Sequence, residues 1–185
     1  MRITIELDPE DIDSFRKTLA RSRKIARTAD ESDVLDAAKH SLNTLLIGNA
    51  LEYVRKRMTG VQRLILMLED EGWALPNPER EAVLETLVYF SDPEDLIPDH
   101  LEVIGLLDDA VIIELLLRRQ RHVLQAYGDF CTYRSTLGPA PMEPAARDEY
   151  LERLARRRAA LQLRMRRRLI RERNDERSPK ALTHR

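Results

Sequence analysis

Apolar residues recur along this chain at helical spacing almost throughout. Ile12, Phe15, Leu19 and Ala26 mark the inward stripe of a helix over about residues 9–27. Its start is written in Asp8-Pro9-Glu10-Asp11: an Asp suited to the N-cap, Pro at the first helical position, and acids in the first turn. Before it, Arg2, Thr4 and Glu6 alternate with Ile3, Ile5 and Leu7, the period of a short strand. A second helix is expected after Ser32, with Val34, Leu35, Ala38, Leu42 and Leu45 turned inward and Gly48-Asn49 interrupting it. In the third, about 50–71, Leu51, Val54, Met58, Val61, Ile65 and Leu68 alternate spacings of three and four, the seam of a helix packed in a bundle.

Gly72 and Pro76-Asn77-Pro78 end that helix, and a fourth over about 79–91 buries Val83, Leu84, Leu87 and Val88. A Pro- and Asp-rich connection follows from Asp92 to Asp99. A long helix is then expected from about Asp108 to Tyr133, with Ile112, Leu116, Val123, Tyr127 and Phe130 on one face. Gly138-Pro139-Ala140-Pro141 and Pro144 form the clearest linker, ahead of an Arg-rich helix over about 145–173 whose apolar stripe is Leu151, Leu154, Leu161, Met165 and Leu169. The expected fold is all-α: a bundle of about six helices with a short N-terminal β-strand and an Arg-rich C-terminal helix. Its organisation reads as a body over 1–137, a Pro-rich linker over 138–144, and a basic helix with its tail over 145–185.

Composition agrees with helices, since Gly numbers 6 and aromatics make up 5% of the chain. The single cysteine, Cys131, excludes an intrachain disulfide framework and fits a reducing compartment. The opening MRITIELDPEDID turns acidic at once, so no secretory leader is expected. The most apolar run, Leu101 to Leu117, is broken by Glu102, Asp108, Asp109 and Glu114, which argues against a transmembrane span. A cytoplasmic location follows as the expectation, with peripheral membrane association as its variant.

The formal net charge of −1 conceals a split. From residue 151 onward thirteen Lys and Arg face four Asp and Glu, whereas residues 1–150 carry eighteen basic against twenty-eight acidic residues. Arg156, Arg157, Arg164, Arg167, Arg168 and Arg171 are the candidate anion- or partner-binding residues of the basic helix. Three uses fit them: docking on the protein's own acidic body or on another subunit, binding nucleic-acid phosphates, or binding an anionic membrane surface. The nearest opposite field is on the same molecule, which favours self-association or a protein partner.

Two motifs stand out within the body: Tyr89-Phe90-Ser91-Asp92-Pro93-Glu94-Asp95-Leu96-Ile97-Pro98-Asp99, then Gly105-Leu106-Leu107-Asp108-Asp109-Ala110. An apolar helix leading into P-x-D-L-I-P-D, then a G-x-x-D-D helix start, resembles the YkvA family over about residues 82–130. The resemblance implies a domain of unknown function and carries no activity with it. It also implies membrane association for many members, from which the charge-broken apolar runs of this chain depart.

Asp92, Glu94, Asp95, Asp99, Asp108 and Asp109 lie close together in sequence. Converging carboxylates are what Mg²⁺, Mn²⁺ or Ca²⁺ require, so Asp95, Asp99, Asp108 and Asp109 are candidate ligands for a divalent cation serving hydrolysis or phosphate handling. The same acids occupy cap and turn positions, where each has a structural reason to exist. No nucleophile constellation, Gly-rich phosphate loop or dinucleotide fingerprint accompanies them. The sequence therefore reads first as a non-enzymatic interaction or scaffold module.

Overall fold

The computed structural model describes residues 9–47, 52–91 and 105–177. Among them are seven helices and no strand: α1 (Pro9–Ala26), α2 (Glu31–Ile47), α3 (Glu52–Glu69), α4 (Asn77–Phe90), α5 (Gly105–Arg119), α6 (Arg121–Leu137) and α7 (Pro144–Arg177). The strand expected over Arg2–Leu7 lies outside the described residues. The expected long helix is two helices, which raises the count from about six to seven. The break falls at Gln120, whose φ of −93° and ψ of 6° leave the helical region. Neither Gly nor Pro marks it, so helical periodicity ran through it unbroken.

The chain forms two compact units. The first comprises residues 1–69 and 75–118, and the second residues 70–74 and 119–185.

In the first unit α4 is the central helix. Every residue from Val83 to Tyr89 is buried, including Glu85 and Thr86, because α1, α2 and α3 all pack against it. A helix covered on several sides loses the one-faced pattern that a surface helix shows. From Met58 onward the seam of α3 is inward as its spacing requires, with Met58, Val61, Ile65 and Leu68 all buried, while Leu51 and the side chain of Val54 lie outside the described residues. Phe15 of α1 meets Tyr89 of α4 with ring centroids 5.5 Å apart and planes tilted by 56°.

Charged groups at these contacts are paired. Arg23 of α1 donates to both carboxylate oxygens of Glu85, at 3.0 and 3.2 Å. Arg80 of α4 pairs with Glu31 of α2 and also donates to the Leu68 carbonyl at 3.0 Å, closing the C-terminal turn of α3. Asp30 caps α2: its carboxylate accepts from the Ser32 amide at 2.8 Å and the Ser32 hydroxyl at 2.6 Å, which holds Asp30 below the ordinary carboxyl range. Gly60 lets Leu117 of α5 come close to α3, since a Cβ there would lie 2.5 Å from Leu117 Cδ1.

The second unit is built around Trp73. The indole is fully buried, its centroid 5.2 Å from Phe130 and 6.0 Å from Tyr127 on α6. Leu154, Leu161 and Met165 of α7 are buried with it, whereas Leu151, expected on the same stripe, is 51% exposed. The Pro-rich segment is the turn between α6 and α7. Gly138 sits at φ 72°, a left-handed conformation that glycine adopts without steric cost, and ends α6. Glu143 then caps α7, its carboxylate accepting from the amides of Ala145 and Ala146 at 3.1 and 2.7 Å, with Pro144 at the first helical position.

Candidate functional site

The arginines of α7 divide into two sets by the face they occupy. On the packed face, Arg158 donates to the Gly72 carbonyl at 3.2 Å, Arg164 pairs with Asp129 of α6, and Arg168 donates to Gln125 Oε1 at 2.6 Å. Arg157 lies over the Tyr133 ring at 5.3 Å, a cation–π contact. Between them Gln162 Nε2 donates to the carbonyls of Trp73 and Ala74, at 2.9 and 3.2 Å. Near the far end Glu172 pairs with Arg121 at 2.6 Å and lies 3.0 Å from His122 Nε2. This row joins α7 to α6 and to the turn that carries Trp73.

That turn is also fixed from α6. Asp70 accepts from the Trp73 amide at 3.2 Å, from Arg134 at 3.0 Å and from the Tyr127 hydroxyl at 3.1 Å. Burial opposes the Asp70 charge, but Arg134, Tyr127 and the Trp73 amide outweigh it and hold the carboxyl below its ordinary range. Tyr127 is pushed far up, first by burial and then by Cys131 and the Asp70 charge. Ala74 completes the turn at φ 44°, a left-handed conformation costing a non-glycine residue about 1–2 kcal/mol.

The opposite face of α7 is open. Arg156 is exposed and pairs with Glu152 one turn earlier on its own helix. Arg167 and Arg171 are exposed, and beside them stand Leu163, 52% exposed, and Ile170, 58% exposed. Of the six arginines singled out in the sequence, Arg157, Arg164 and Arg168 therefore serve packing within the second unit. Arg156, Arg167 and Arg171 face solvent.

The acidic candidates fall differently. Asp95 and Asp99 lie outside the described residues, and so do the side chains of Asp108 and Asp109. The backbone places Asp108 and Asp109 early in α5, which starts at Gly105, three residues before the expected Asp108. Negative charge there is favoured by the helix N-terminus. Among the described residues, no group of three His, Cys, Asp or Glu is placed to hold a metal ion. No helix of the described residues is long and apolar enough to cross a membrane.

The run from within α4, through residues 92–104, into α5 is the part that relates to a known family. Residues 82–115 match the family described as "Protein of unknown function (DUF1232)". The YkvA-like signature lies in the DUF1232 family, and the match ends before the expected limit at residue 130. The DUF1232 segment belongs to the first compact unit, whereas α7 and its arginines belong to the second. No curated protein and no solved structure matches the chain.

Sequence reasoning missed Asp70, Trp73 and Gln162. Residues 70–74 read only as the end of α3, because nothing local announces that Asp70 pairs with Arg134. The one available signal was the single tryptophan, a large apolar residue set among Asp70, Glu71 and Gly72.

Proposed function

We propose that this protein is a non-enzymatic interaction module that presents the outward face of α7 to a partner. The observation that carries the reading is the division of the arginines. Arg158, Arg164 and Arg168 are used in packing α7, while Arg156, Arg167 and Arg171 sit on an open face beside two exposed aliphatic residues. Exposed Leu and Ile bordered by cations make a surface with both an apolar and an electrostatic component, as binding faces have. The test is affinity capture of the tagged full chain from its native cell extract, compared with Arg156→Glu/Arg167→Glu/Arg171→Glu at matched folding. Loss of the wild-type partner set supports the reading, and an unchanged partner set overturns it.

A divalent-cation-dependent hydrolase built on Asp95, Asp99, Asp108 and Asp109 is the competing proposal. The placement of Asp108 and Asp109 at the start of α5 supports helix stabilisation as their role instead. Thermal unfolding in EDTA and then in Mg²⁺, Mn²⁺ or Ca²⁺ separates the two. A midpoint raised by one cation, and not raised in Asp99→Asn, favours the hydrolase.

A further inference from the structure

We draw no further inference here: the strongest candidate, the outward face of α7, mixes exposed Arg153, Arg156, Arg167 and Arg171 with exposed Glu149 and Glu152 beside Leu163 and Ile170, and nothing in the structure shows what covers it.

Discussion

Asp70 and Arg134 meet at 2.8 Å across 64 residues of sequence, and their ion pair fixes the turn that places Trp73 against Phe130. The Asp70 side chain is only 10% exposed, so its charge depends on the partners around it. The turn ahead of α4 is thereby built into the unit formed by α6 and α7.

Replacing that carboxylate removes the arrangement at its centre. Asp70→Asn is expected to destabilise the second unit by about 1–3 kcal/mol, since Arg134 loses its counter-charge and Tyr127 a charged acceptor. Because the folded state holds the Asp70 carboxyl below its ordinary value, its contribution is present above about pH 4 and fades as pH falls through the lowered folded value. The gap between wild type and Asp70→Asn should therefore narrow in acid. Trp73 is the single tryptophan, so its fluorescence during denaturation reads this unit directly.

In the first unit the corresponding test is the Arg23–Glu85 pair. Arg23→Ala leaves the Glu85 carboxylate, 11% exposed, without its bidentate donor. A loss of about 1–3 kcal/mol is expected, less than for a fully buried pair because Arg23 is half exposed. Arg23→Leu/Glu85→Leu is expected to recover much of it, since no charge is then stranded. Urea denaturation followed by far-ultraviolet circular dichroism measures both.

Gly60 is a packing requirement rather than a turn. Gly60→Ala is expected to cost about 1–2 kcal/mol, because its Cβ meets Leu117 Cδ1 at 2.5 Å and the leucine must move. In a Leu117→Ala background the same substitution should cost little or become stabilising, alanine being the better helix former. A double-mutant cycle on the thermal midpoint decides it.

Glu143→Ala is expected to lose about 1 kcal/mol by leaving the amides of Ala145 and Ala146 without their acceptor. Glu143→Asp or Glu143→Ser should restore part of this, which a substitution acting through overall charge would not do in the serine case. Hydrogen exchange of the first turn of α7 is the local readout.

Local rules carried the reading of the sequence a long way. The seam of α3 from Met58 to Leu68, the inward face of α2 from Val34 to Leu42, that of α4, and the limits of α1 to within a residue or two follow from spacing and caps that each helix carries itself. What failed was non-local. Gln120 breaks a helix at a position whose sequence favours continuing it, and no Gly or Pro announces the end. Leu151 has helical phase with Leu154 but no partner to cover it. The six candidate arginines look alike in sequence, and only Asp129, Gln125 and Tyr133 on the packed side distinguish those used in folding from those left open.

That distinction is the centre of the account, and two matched variants test it most directly. Thermal unfolding followed at Trp73 should be measured for Arg164→Ala/Arg168→Ala and for Arg167→Glu/Arg171→Glu, with partner association measured on the same samples. The first is expected to lower the midpoint by about 2–4 °C for each kcal/mol of docking lost, and the second to keep the wild-type midpoint while losing association. An outward variant that unfolds as early as the inward one, or that associates as the wild type does, would contradict the account.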